Sequence, residues 1–122
     1  MNRQSPTRVR QTMTTIATLN GVTIASSEET VVVEGNHYFP QADVNFEFLE
    51  PTRARSLCFW KGIANYWTVR AEGAALRNAA WGYRRPTPFA RRLVKGRVAF
   101  WNGIDVRART GEPATAVTAS RT

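Results

Sequence analysis

The stretch TIATLNGVTIAS, residues 15–26, alternates apolar and polar residues on both sides of Asn20-Gly21. A period of two is the pattern of a half-buried strand, and Asn-Gly tolerates the positive φ that a tight hairpin turn demands. Such a unit commits the chain to antiparallel pairing, and it recurs. ANYWTVRAEGAALRNAAWGY (64–83) reads as a second hairpin about Glu72-Gly73, with Trp67, Val69, Leu76 and Trp81 as core candidates. RVAFWNGIDVRA (97–108) reads as a third about Asn102-Gly103.

The segments between are less regular. TVVVEG (30–35) reads as a short β-branched strand, and NHYFPQAD (36–43) as a turn-rich connection broken by Pro40. VNFEFLE (44–50) alternates with Val44, Phe46 and Phe48 on one side, Pro51 ends it, and TRARSL (52–57) follows as a basic loop. TPFARRLV (87–94) is the one expected helix. Thr87 caps it, Pro88 takes the first helical position, and Phe89, Leu93 and Val94 share a face until Lys95-Gly96 stops it. The expectation is an all-β chain with one short helix, a compact antiparallel β domain over residues 15–109. Residues 1–14 and 110–122 are expected to be disordered tails.

At 122 residues the chain is sized for one core. No apolar run approaches the ~20 residues that span a bilayer, so no membrane role is expected. The single Cys58 forms no internal disulfide, which suits a reducing, cytoplasmic setting. One Cys and one His (His37) do not build a Cys/His zinc site, and no cofactor is expected. The net charge of +8 is uneven: residues 16–50 hold six acids and no Lys or Arg, whereas 51–97 hold eleven bases and one acid, Glu72. The basic run is densest at Arg84, Arg85, Arg91, Arg92, Lys95 and Arg97, a distribution that steers anions toward one face.

EGNHYFP, FLEPT, CFWKGIANYW, NAAWGY and VAFWNGIDV occur in this order, and together they resemble the family catalogued as domain of unknown function 427. The resemblance covers roughly residues 16–107. It implies a compact all-β domain, β-tent-like, of a group in which many members hold zinc with paired Cys-x-x-Cys motifs. Those pairs are missing from this chain, so the fold is expected without the zinc site. The family is sometimes labelled nucleotidyltransferase-like, yet the resemblance brings no established activity. Nucleotidyl transfer usually needs clustered carboxylates to hold divalent metals. Only two Asp are present, Asp43 and Asp105, far apart in sequence.

The most chemically dense stretch is CFWKGIANYW, residues 58–67. Lys61 amid apolar residues asks for an anion, either an internal carboxylate such as Glu34 or Asp43, or a bound ligand. Cys58 is a candidate nucleophile if Lys61 lowers its pKa and His37 serves as base; as a plain residue it is a small buried hydrophobe. Gly62 provides a sharp turn or room for a close approach. Tyr38, Trp60, Tyr66, Trp81 and Tyr83 are candidate ligand-binding residues, since Tyr and Trp pair an apolar body with a polar handle. Strand alternation sends Tyr66 and Trp67 to opposite faces, and sends Trp60 and Lys61 apart if the chain is extended there. Trp60, Tyr66 and Tyr83 with Tyr38 are the favoured set for one cavity.

These residues support a binding module for a small, anionic ligand of unknown identity beside Lys61. One alternative is an enzyme using Cys58, assisted by Lys61 and His37. Another is a nucleic-acid binder using Arg84 to Arg97, which is not favoured because the aromatics sit where core is expected. The sequence leaves the oligomeric state open.

Overall fold

A computed structural model describes residues 12–111. Nine strands form: β1 (Thr12–Leu19), β2 (Val22–Ser27), β3 (Val31–Val33), β4 (Asn36–Pro40), β5 (Leu49–Cys58), β6 (Gly62–Ala71), β7 (Ala74–Gly82), β8 (Arg97–Phe100) and β9 (Asp105–Gly111). The helix α1 (Arg91–Val94) lies between β7 and β8. All strand pairs are antiparallel. They make a three-stranded sheet, β2-β1-β9, and a six-stranded sheet, β3-β4-β8-β7-β6-β5. The all-β antiparallel class therefore stands as the alternation implied. The strands start at Thr12 and end at Gly111, past the 15–109 reading at both ends. The rest of the two expected tails, residues 1–11 and 112–122, lies outside the described residues.

Four X-Gly pairs take positive φ at both residues: Asn20-Gly21, Glu34-Gly35, Glu72-Gly73 and Asn102-Gly103. The first three close the β1–β2, β3–β4 and β6–β7 hairpins, the geometry that matches strand twist. The fourth does not close the expected third hairpin. β8 pairs with β4 and β7, whereas β9 pairs with β1, so the turn at Asn102-Gly103 passes the chain from one sheet to the other. The Trp101 indole, donating to the Asn78 carbonyl at 2.7 Å, and the Asn102 amide, donating to the Arg77 carbonyl at 3.0 Å, hold that crossing against β7.

Four further readings are corrected. NHYFPQAD is a turn only in its last part: Gln41–Asp43 forms a 3-10 turn, whereas Asn36–Pro40 is β4, because Glu34-Gly35 folds it back onto Val31–Val33. VNFEFLE is not one strand: Phe46–Phe48 forms a 3-10 turn, β5 starts only at Leu49, and of Val44, Phe46 and Phe48 only Val44, which precedes the turn, is buried. TRARSL is not a loop: Thr52–Leu57 belongs to β5, which runs through Pro51. Proline is tolerated there because β5 is an edge strand, and the register shifts between Pro51 and Arg55. The expected helix shrinks to one turn: the Thr87 hydroxyl donates to the Trp60 carbonyl instead of capping, and Phe89 is 86% exposed while Val94 is fully buried.

The two faces of the six-stranded sheet bury different clusters. One face meets the three-stranded sheet, with Phe39, Val69, Ala80, Val98 and Phe100 packed against Ala17, Leu19 and Ile24. The other face holds Tyr38, Ala64, Tyr83 and Ala99 with Val33, and α1 adds Val94. The β3–β4 and β5–β6 hairpins stand at opposite ends of the strand order, yet their tips are joined by an ion pair between Glu34 and Lys61. The sheet thus curls until its two ends meet around the second cluster.

Candidate functional site

The β5–β6 connection is three residues long, Phe59-Trp60-Lys61, closed by the Cys58–Gly62 pair. Gly62 has φ +111°, and a Cβ there would stand 3.0 Å from the Arg85 carbonyl oxygen, 3.2 Å from Pro86 Cα and 3.3 Å from Thr87 N. The missing side chain admits the 85–87 segment, and the Thr87 amide donates to the Lys61 carbonyl at 3.1 Å. Trp60 and Lys61 sit in this turn rather than in extended chain. They do not diverge: both reach Glu34, Lys61 through its ammonium and Trp60 through its indole N–H at 3.2 Å.

Lys61 is buried beneath rings. Its Nζ lies 5.5 Å from the Trp60 ring centre and 5.6 Å from that of Tyr83, a double cation–π arrangement. The ion pair is lopsided: the Lys61 side chain is 7% exposed and that of Glu34 is 51% exposed. Burial pulls the Lys61 pKa down, but the hydrogen bond to Glu34 and the neighbouring Tyr38 and Tyr83 phenols outweigh it, so the ammonium is held above its ordinary value. Hydrogen bonds from Lys61 and then Trp60 hold Glu34 below its ordinary carboxylate value. Burial, then the nearby Tyr38, push the Tyr83 phenol up to about 12, so it stays neutral at physiological pH.

The signs of these shifts fix a pH window. Glu34 contributes stability above its ordinary value of 4.5 and loses it as pH falls through its lower folded value. Lys61 contributes below its ordinary 10.5 and loses the contribution as pH rises through its higher folded value. Tyr83 acts in the same sense from its ordinary 10.0 upward. The expected result is a flat stability plateau between the two limits. Glu34→Gln should lower the urea midpoint on the plateau, and the difference from wild type should vanish in acid, where Glu34 is itself neutral. Curves that stay parallel into acid would show that the pair contributes nothing.

The other sequence candidates divide. Tyr38, Tyr66, Trp81 and Tyr83 share the second cluster with Trp60, and Cys58 packs against it. Tyr38 and Trp81 meet edge to face at 6.0 Å, with the Trp81 indole donating to the Tyr38 hydroxyl at 3.2 Å. Tyr66 and Ser56 share a hydroxyl hydrogen bond of 2.7 Å. Trp67 takes the opposite face, as alternation requires, and packs on the first cluster. His37, one residue before Tyr38 on β4, faces away from it and bonds Thr30 Oγ1 through Nδ1 at 2.9 Å. The fold therefore brings Lys61 and Cys58 to one cluster and sends His37 elsewhere.

Two members of this neighbourhood were not picked out from the sequence. Trp101, 52% exposed, extends the aromatic strip by packing edge-on to Trp81 at 6.1 Å. Asn78, at φ +52°, accepts from the Thr52 hydroxyl at 2.7 Å and ties β5 to β7 where their register shifts. Among the described residues, no three His, Cys, Asp or Glu side chains group as metal ligands. No helix of the described residues is long and apolar enough to cross a membrane.

Architecture and motifs together define an all-β, two-sheet antiparallel domain whose longer sheet is closed by a lysine–glutamate pair between hairpin tips. The chain belongs to the family described as Domain of unknown function (DUF427), whose model matches residues 6–110. No curated protein matches it in sequence.

Proposed function

We propose that this domain is a small-ligand-binding module whose site is the aromatic face around Lys61, taking a small anionic ligand. The observation that carries the reading is the unequal exposure of the ion pair. A buried ammonium must keep an anionic partner. The partner it has, Glu34, is half exposed at a hairpin tip, so a ligand carboxylate or phosphate reaches the same ammonium by displacing it. The Trp60 indole N–H is a second donor at that position, and the half-buried Tyr66 and Trp81 supply apolar walls with polar ends. Cys58, packed against the same cluster, keeps thiol chemistry as the alternative; its setting is a reducing cytoplasm.

Thermal melts against a panel of small carboxylates, phosphomonoesters and sulfonates test the proposal. At least one class should raise the melting temperature saturably. Lys61→Met should abolish that rise, Glu34→Gln should preserve or strengthen it by removing the competitor, and Cys58→Ala should leave it unchanged. A ligand response equal in wild type and Lys61→Met would refute the site. Turnover lost in Cys58→Ser, with ligand stabilisation retained, would favour the thiol reading.

A further inference from the structure

Phe59, Phe89 and Leu57 are the three most exposed large apolar side chains among the described residues, at 94%, 86% and 72%. The fold collects all three at one end of the molecule. Phe59 stands in the β5–β6 turn, just past Cys58 of the closing Cys58–Gly62 pair. Leu57 is paired across the hairpin with Ile63, itself exposed, so the two side chains lie together on one face. Phe89 follows Thr87, whose amide bonds the Lys61 carbonyl in the same turn, and two residues of chain reach at most about 7 Å. None of these four apolar residues belongs to either buried cluster. Exposed apolar residues scattered singly are ordinary on a protein surface, whereas a group of them at one hairpin tip marks a contact site.

The free charge around this tip has one sign. On the face that carries Leu57, the next residue back along β5 is Arg55, paired with Asn65. Arg85 has its carbonyl against Gly62, and the Arg91 amide bonds the Thr87 carbonyl. All three arginines are exposed, and none has an ion-pair partner among the described residues. Glu34, the carboxylate at this end, is already paired with Lys61. Between residues 51 and 104 the one acid is Glu72, in the turn at the far end of β6, about 30 Å away along the strand. A second copy meeting this tip with its own tip would set arginines against arginines, so charge selects an anionic partner.

We propose that this tip docks on the surface of an anionic lipid bilayer, with Phe59, Leu57, Ile63 and Phe89 entering the headgroup boundary and Arg55, Arg85 and Arg91 meeting lipid phosphates. A ring as free as that of Phe59 projects from the molecule rather than lining a groove, and a soft medium receives it without a preformed pocket. The layering fits as well. Phe59 and Leu57 are two residues apart along the hairpin, about 7 Å, within the roughly 5–10 Å to which apolar faces sink at a bilayer interface. Arg55 lies a further two residues back, where a guanidinium meets headgroups. The expectation of no membrane role rested on the lack of a spanning run, which a surface contact does not need. Nor does the proposal rest on the ligand site at Lys61, whose ammonium lies beneath the rings of Trp60 and Tyr83.

Sedimentation of the whole chain with vesicles tests this, using phosphatidylcholine alone and equal parts of phosphatidylcholine and phosphatidylserine. The chain should pellet with the mixed vesicles and stay in solution with the neutral ones, and salt should weaken the binding. Phe59→Ser should weaken it at least roughly tenfold, whereas Phe59→Trp should keep it, since Trp suits the interface. At 94% exposure neither change should move the urea midpoint, so lost binding is not lost folding. Arg85→Gln and Arg91→Gln should each weaken binding about fivefold. Any response to soluble anions that depends on Lys61 should persist in Phe59→Ser. Failure to pellet with the mixed vesicles, equal pelleting with neutral ones, equal binding of wild type and Phe59→Ser, or a dimer that Phe59→Ser dissociates would each overturn the proposal. Binding to polyglutamate as tight as to the vesicles, and lost in Phe59→Ser, would overturn it in favour of an acidic protein.

Discussion

Gly62→Ala is expected to destabilise the domain by roughly 3 kcal/mol, combining about 1–2 kcal/mol of backbone strain with a similar cost for overpacking. At φ +111° an L-residue is strained whatever the space, and here the space is occupied by backbone rather than by a side chain that swings away. The Arg85 carbonyl oxygen at 3.0 Å and the Thr87 amide at 3.3 Å move only if the 85–87 segment lifts from the β5–β6 tip. That motion breaks the Thr87–Lys61 backbone bond and loosens the floor beneath the ammonium. Gly73→Ala is the matched control, because Gly73 has φ +80° and nothing within 4 Å of the added Cβ. It should cost only about 1 kcal/mol. Urea denaturation of both variants, with unchanged slopes, checks the difference of roughly 2 kcal/mol. Equal destabilisation would mean that the tight contact at Gly62 relaxes freely.

Gly82→Ala is expected to cost roughly 2–3 kcal/mol by a different route. Gly82 has ordinary strand φ, so no conformational argument applies. Its Cβ would stand 2.7 Å from the Arg97 carbonyl oxygen, a contact inside the β7–β8 ladder. Either the ladder opens there or the strand rotates into Trp67. The near-ultraviolet circular dichroism of the folded variant should therefore change. A variant as stable as wild type, with an unaltered aromatic spectrum, would contradict this packing.

Both glycines show the limit of reading from sequence. Gly62 was legible as a turn or a close approach, but the segment that approaches, Arg85 to Thr87, is more than twenty residues away along the chain. Gly82 carries no local signal, because its constraint comes wholly from a neighbouring strand. The helix reading failed for a related reason. Thr87 and Pro88 are sound starting residues locally, but the Thr87 hydroxyl is taken by Trp60, Pro86 just before it is bridged to Gly62 at the hairpin tip, and the helix begins only at Arg91. Phe89 and Leu93 are left facing solvent.

The sequence by itself determined the class of fold, three of the four X-Gly turns and the faces taken by Tyr66 and Trp67. These are local properties: backbone φ preference and the two-residue alternation of strands act within a few residues. It also singled out Lys61 as a cation needing a partner and Glu34 as a possible one. Only the tertiary structure decided that Glu34 is that partner, because the pair forms where opposite ends of a curled six-stranded sheet meet. The transfer of the chain between sheets at Asn102-Gly103 was decided there too. So was the parting of His37 from Cys58. Each depends on which strands lie side by side, and pairing between distant strands is set by the total burial of two cores rather than by any short stretch of residues.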